Sequence, residues 1–406
     1  MKNILAFLVY MMLILSSGAI IQPIKDGGAR IQGFYDAVEY SGPLNYLPIF
    51  WQVSVAMLIY LVFCKEKSLY FHFDFVWGGL FAMCFASALW ASYSKVAFSL
   101  SVLLLLSYSL VNLHVVICGW QKVLESLHWF FICILMLSLV TVFLLPSYGI
   151  SVGEHAGKWQ GVFDHKNGLG NFAALIYVFY IWWLTIERSI VKIVGIMLSL
   201  LLVIGSGSST ALINLSICTL LYGLLRIPLT KRLLFAKRFI IVGALGLIVI
   251  STMAISLDSS GFAIIDKDTS FSNRNLIWAL FLKEIESAPW VGHGLSQFSA
   301  GLSVNERDIL SNVGFVVGTA HNGFLECWHA IGVVGLALSL AAIVQLLRFK
   351  IDGHPSELAF LFLFYFVILN TFESRLIGFN FYFIVLMYVA SLTKAMSQQH
   401  TLQAQV

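Results

Sequence analysis

A few short segments carry residues suited to chemistry, in a chain that is otherwise almost wholly apolar. GVFDHKNGLG, at 161–170, packs Asp164, His165, Lys166 and Asn167 between glycines. Placed at the mouth of a helix, unpaired backbone N–H groups and a nearby lysine form an anion site. The plainer alternative is a capped helix start with solvated charges. GSGSSTALIN, at 205–214, sets Ser208 and Ser209 in a very short turn. They are read first as caps of a tight helix hairpin, and alternatively as donors facing a polar cavity. Arg274 opens a stretch with helical periodicity, where a guanidinium can grip a phosphate through two parallel bonds or serve as an ordinary surface cation. TAHNGFLECWHAIGVVG, at 319–335, puts His321 and Asn322 ahead of a helix that contains Gly332 and Gly335. An imidazole has the pKa for proton transfer near neutrality, but a lone histidine is as often a structural hydrogen-bonding group. Glu326 lies about one turn deeper and His329 deeper still. Glu373 and Arg375, in TFESR, form either a local ion pair or part of a cavity rim.

The elements that must position these residues follow from composition. Of the 406 residues, 59% are hydrophobic and 11% charged, where a soluble domain carries about 25% charged residues. So little charge cannot cover a water-facing surface, so lipid is the main solvent and an all-α polytopic membrane protein is expected. The net charge of +4 is small and dispersed, and gives no reason to expect nucleic acid as a partner. The cysteines Cys64, Cys84, Cys118, Cys133, Cys218 and Cys327 fall in or beside apolar runs without metal or disulfide spacing, and are read as small buried hydrophobes.

A span takes about 20 mostly apolar residues. Such runs occur near 4–22, 48–64, 74–91, 97–118, 128–145, 169–186, 191–206, 209–225, 239–257, 320–347, 356–372 and 376–393, or about twelve transmembrane helices. The first is read as an uncleaved span rather than a signal peptide. Lys65 and Lys67, then Arg226, Lys231, Arg232, Lys237 and Arg238, then Arg348 and Lys350 mark loops on one side, which the positive-inside rule makes cytoplasmic. The motif segments then lie on the outer side, with a long loop at 258–319 and a cytoplasmic tail at 394–406. Within that loop, SNRNLIWALFLKEIESAPW reads as a helix capped by Ser272 or Asn273 and stopped by Pro289. Its apolar residues include Leu276, Trp278, Leu280, Phe281 and Ile285, and Lys283, Glu284 and Glu286 form its polar side. Such a helix lies flat on a membrane or roofs a cavity.

Zinc is a rival reading for the outer histidines His155, His165, His293 and His321. Their scatter argues against it, so no metal and no cofactor is expected. His114, inside an apolar run, is read as a buried hydrogen-bonding residue.

In order along 160–375, these segments resemble a known family. His321-Asn322, nine residues, then Gly332 and Gly335 resembles the H-N-x9-G-x-x-G signature of the O-antigen ligases and polysaccharide polymerases. GVFDHKNGLG resembles the G-x-F-x-H-K-N segment of the exopolysaccharide polymerase branch. SGSSTALI resembles the family's Ser/Thr-rich hairpin, and RNLIWALFLKEIESAPWVGHGLSQF its R-x-x-x-W…P-x-x-G-x-G outer segment. TFES resembles its last outer loop.

The resemblance implies a membrane glycosyltransferase with a GT-C-like bundle, helices 1–145 preceding a catalytic region at 146–393. It further implies an undecaprenyl-diphosphate-linked glycan as donor and an active site at the periplasmic face of the bacterial inner membrane. It makes Arg274 and His321 the expected catalytic residues. His165, Lys166, Asn167, Ser208, Ser209, Asn322 and Glu373 are the expected binders of diphosphate or glycan. The family's ligases carry an arginine in the hairpin, which here is Ser206, Gly207, Ser208 and Ser209; Lys166 is the expected substitute, as suits a polymerase of O-antigen, capsule or exopolysaccharide. The runner-up is the ligase acting on lipid A–core in lipopolysaccharide biosynthesis. A flippase or other transporter is the reading from another class, disfavoured because the two halves do not look alike. A chain-length regulator and a flippase of the same pathway are the expected protein partners.

Overall fold

The computed structural model describes residues 2–19, 46–65, 74–226, 274–295, 319–348 and 354–403. The chain forms α1 (Lys2–Ser17), α2 (Leu47–Lys65), α3 (Phe75–Ser87), α4 (Ser94–Cys118), α5 (Trp120–Leu144), α6 (Lys166–Trp183), α7 (Ile190–Ser206) and α8 (Ser209–Arg226). After these come α9 (Arg274–Ser287), α10 (Gly323–Val344), α11 (His354–Phe372) and α12 (Phe381–Gln403). Among the described residues the sole β-pairing is one bridge, Ile150 to Trp159. All the predicted spans but one coincide with α1–α8 and α10–α12; the remaining one, 239–257, lies outside the described residues, as do Ser272 and Asn273.

Among the described residues six helices, α4, α5 and α10 among them, are long and apolar enough to cross a membrane, and α1, α3 and α7 are shorter apolar helices. The protein is an all-α polytopic membrane protein. Hydroxyls inside the helices bond the carbonyl one turn back, as Ser101 does to Ala97 and Thr393 to Val389, which satisfies them where water is scarce. His114 is buried and bonds the Tyr388 hydroxyl at 3.0 Å.

Bonds between helix ends show that the chain alternates direction as hydropathy predicts. At one end Asn167 reaches Glu373, the Trp159 amide donates to Gly205, and Leu295 donates to the Ser87 hydroxyl. At the other end Arg226 pairs with Glu357, Gln345 donates to Asp74, and Trp120 donates to Gln399. The motif segments therefore share one end, and Arg226 marks the other.

Helix α6 is the axis of the bundle. Every residue from Leu169 to Trp183 is buried, with α7, α8 and α11 packed around it. The rings of Phe131, Phe172, Phe179 and Phe381 interlock across α5, α6 and α12.

Helix α10 is broken. Ile331 and Gly332 leave helical geometry, and Gly332 takes φ 68°. The break frees backbone groups that cannot stay unpaired in a membrane interior, and the turn after α9 takes them up. The His293 and Gly294 amides donate to His329 and Ala330 carbonyls at 2.8 Å each. The Val333 and Val334 amides donate to Pro289 and Trp290 carbonyls at 2.9 and 3.4 Å. The Trp328 indole donates to Pro289 and the Trp90 indole to Gly292.

Some expectations need correction. Cys64 and Cys133 are exposed rather than buried; they sit on outward faces, where an apolar thiol meets lipid as readily as it would a core. Helix α12 starts at Phe381, not 376, because Asn380 caps it by accepting from the Phe383 amide at 3.0 Å. The last loop is longer for that reason, and helix continues to Gln403 through much of the predicted tail.

A Cβ on residue 332 would overlap the Trp290 carbonyl in a backbone conformation that side chains rarely adopt. Gly332→Ala should therefore destabilise the fold by about 1–3 kcal/mol from backbone strain alone. Val334→Ala, on the exposed face of the same helix, should stay within about 0.5 kcal/mol of wild type. Unfolding in detergent measures both, and equal stability of the two variants would overturn this account of the break.

Candidate functional site

The site is built from helix starts and the loop between α11 and α12. Asn322 caps α10, its Oδ1 accepting from the Phe324 and Leu325 amides at 3.0 and 3.2 Å. Its Nδ2 is fully buried without a protein partner. The preceding residue, His321, has φ 48°, the one positive φ outside glycine among the described residues. Positive φ is uncommon outside glycine, though histidine adopts it more readily than most residues, and it concentrates at functional positions. Burial pushes the His321 imidazole down to about 4, helped by the charges of Arg274 and Arg375. At neutral pH His321 is therefore uncharged. Glu326 reaches back to accept from the Ala320 amide at 3.1 Å, tying the approach strand to the first turns of α10.

Arg274 is brought to this place by α9. Ile277, Trp278, Phe281 and Ile285 are buried against Ala320 and Leu325, and the Trp278 indole donates to the Ala320 carbonyl at 2.9 Å. The apolar face of α9 thus packs on α10 and its approach, and Pro289 follows its end as the sequence predicts.

The 161–170 segment opens α6. His165 is its cap: Nδ1 accepts from the Asn167 amide at 3.1 Å, which fixes the other ring nitrogen as the one carrying hydrogen. Burial, then the neighbouring His155, pushes the His165 imidazole below its ordinary range, with Asp164 and Glu373 opposing. Lys166 occupies the first helical position, half-buried. The Asn167 side chain donates to Glu373 at 3.2 Å. Glu373 therefore serves the α6 mouth rather than pairing with Arg375, whose guanidinium lies 6.0 Å from the Tyr382 ring centre.

The serines form the tight hairpin. Gly207 ends α7 in the left-handed region. Ser208 is buried and caps α8 weakly, its hydroxyl 3.5 Å from the Ala211 amide, while Ser209 is exposed. The turn lies against α6, because a Cβ on Gly170 would overlap Ser206 and Ser208.

A residue that the sequence reading passed over is Lys158. Its side chain lies over Gly207, so that a Cβ there would come 2.9 Å from its Nζ. The only sequence signal was its place just ahead of GVFDHKNGLG. The outer histidines do not gather at one point: His155 faces His165 with ring centres 5.2 Å apart, and His293 stacks on His329 instead.

The structure thus joins two groups through the 373–375 loop. Arg274 and Arg375 both act electrostatically on His321, and Glu373 bonds Asn167 and acts on His165, with Ser208 against α6 one turn deeper. Residues 194–340 match the family model of the O-antigen ligases. This region is an O-antigen ligase family domain. A search among curated proteins gave no match. The domain contains the hairpin, Arg274, His321 and the broken helix, whereas Lys166, Asn167 and Glu373 lie outside the matched residues and are joined to it by the fold. The family is one of membrane glycosyltransferases with ligase- or polymerase-type function on lipid-linked glycans, and the chain is a multi-pass inner-membrane protein.

Two outcomes follow. His321 takes up a proton less readily folded than unfolded, so protonation favours the unfolded chain. Its effect on stability is absent above about pH 6.5 and grows as pH falls toward about 4. Relative to His321→Gln, wild type should lose thermal stability between those pH values and not above them; parallel curves would refute a depressed His321. Asn167→Ala and Glu373→Ala should be non-additive, with a coupling of about 0.5–3 kcal/mol in a double-mutant cycle. Strict additivity would remove their bond from the account.

Proposed function

We propose that this protein is a polymerase that transfers a growing glycan from its undecaprenyl diphosphate carrier to the next lipid-linked repeat unit, at the periplasmic face. The observation that carries this reading is His321, held in a strained backbone conformation between the charges of Arg274 and Arg375. The reaction breaks the bond from the sugar's anomeric carbon to phosphate and forms one to the acceptor hydroxyl. The hydroxyl proton goes to a base, and the diphosphate leaves with its added negative charge.

Arginine at 274, supported by Arg375 and Lys166, stabilises that charge without a metal ion. His321 takes the acceptor proton. An imidazole flanked by two guanidinium groups is a weak base, and an anionic donor seated on them offsets their charge and raises its proton affinity. Donor binding would thereby prepare the base. The buried Nδ2 of Asn322 and the Asn167–Glu373 pair supply hydrogen bonds for the glycan.

The ligase reading is favoured by one observation, Lys158 over the hairpin turn. It places a cation where the resembling ligases carry an arginine.

The test is glycan display by a deletion strain of the source organism, complemented at matched membrane levels. Wild type should restore long chains, whereas His321→Ala and Arg274→Ala should leave single repeats on the surface. A deletion that leaves no attached glycan at all would favour the ligase instead. His321→Gln separates proton transfer from binding: a variant as inactive as His321→Ala supports the base, and one that restores long chains makes His321 a ligand. Full function of both alanine variants would dismiss the site.

A further inference from the structure

Glu284, His293 and His329 meet where the turn after α9 docks on the broken helix. One donor atom from each lies within 4.8 Å of the other two. Glu284 and His293 lie on α9 and the turn just after it, but His329 comes from α10, so no spacing announces the set. His329 is 4% exposed, on α10 about 10 Å along the helix from Asn322. Its ring stacks on His293 with centres 4.7 Å apart and an interplanar angle of 26°, and Phe281 closes another side at 5.3 Å.

We infer that these residues bind a borderline divalent cation of the zinc type, as a clasp between the α9 turn and α10. Two imidazoles and a carboxylate are a common donor set for such ions. The decisive detail is the tautomer of His293. Its Nε2 lies 2.9 Å from the Glu284 backbone carbonyl, which only accepts, so Nε2 carries the hydrogen and Nδ1 carries the lone pair. A ligating histidine fixed through its other nitrogen by a carbonyl is the arrangement metal sites use to orient the ring. Ser287 bonds the same carbonyl at 2.8 Å and holds it in place.

A tetrahedral ion with bonds of about 2.0–2.1 Å keeps its donors about 3.4 Å apart. The donors, all within 4.8 Å of one another, have to draw together by side-chain rotation to close the set. The backbone is already pinned, since the His293 amide donates to the His329 carbonyl at 2.8 Å. The site is separate from His321 and Arg274, and the ion's role is to hold the turn in the break of α10.

The test uses the tag-free full chain in detergent, stripped with chelator and titrated with zinc chloride. Wild type should bind about one zinc per chain and gain several degrees in thermal unfolding. Glu284→Gln and His293→Asn, both at half-exposed positions, should retain about a tenth of that occupancy or less at the same free zinc and gain nothing on heating. His155→Asn, which removes the other histidine pair, should bind as wild type does. A monodisperse wild type that takes up no zinc overturns the inference, as do variants at 284 and 293 that bind as much as wild type. Loss of zinc on His155→Asn alone places the metal elsewhere and overturns it as well.

Discussion

The arrangement depends on four backbone hydrogen bonds between the turn at 289–294 and the break in α10. An interrupted helix inside a bilayer leaves donors and acceptors that no water can satisfy. The turn supplies their partners, and in doing so it fixes where α9 ends. Arg274 sits at the start of α9, and His321 just ahead of α10, so these bonds, with the packing of α9 on Ala320 and Leu325, help set where the two residues lie. Residues far from the site along the chain thus govern its geometry. Gly332, about 15 Å along the helix from Asn322, belongs to the site in this sense although it contacts nothing there.

The site itself is assembled by capping. Asn322, His165 and Asn380 each spend their side chains on the first turn of a helix. Capping orders helix starts at the cost of placing polar groups at the membrane end of the bundle, and there they leave spare capacity. The Asn322 Nδ2 and the second nitrogen of His165 are such groups. The positive ends of α6 and α10 lie at the same end as Lys166, Arg274 and Arg375. Helix dipole and side-chain charge therefore have the same sign, and the place suits an anion more than a cation.

Hydropathy made the bundle legible, since apolar runs of sufficient length have no other stable disposition in a chain so poor in charge. Caps such as His165 and Asn322 were legible because a polar residue precedes each apolar run. The break in α10 was not. Gly332 and Gly335 stood in the sequence as glycines inside one helix, and only the paired backbone shows that Gly332 carries a left-handed bend. The partner of Glu373 was hidden for a related reason: Arg375 is near in sequence, but Asn167 is near in space. Lys158 was hidden because nothing in its neighbourhood sets it apart from a solvated lysine until the hairpin is folded beneath it. His329 was read correctly as deep, but its neighbour His293 comes from a loop whose entry into the bundle no periodicity records.

The enclosure of α6 bears on how the protein is made. This helix, with Lys166, Asn167 and Asn171 in its first turns, is not among the six helices of the described residues that qualify as spans. Taken alone, a segment of this kind partitions poorly from a translocation channel into lipid. Its stability in the membrane comes from α7, α8 and α11, which are synthesised after it. Its full enclosure therefore has to follow the synthesis of those later helices.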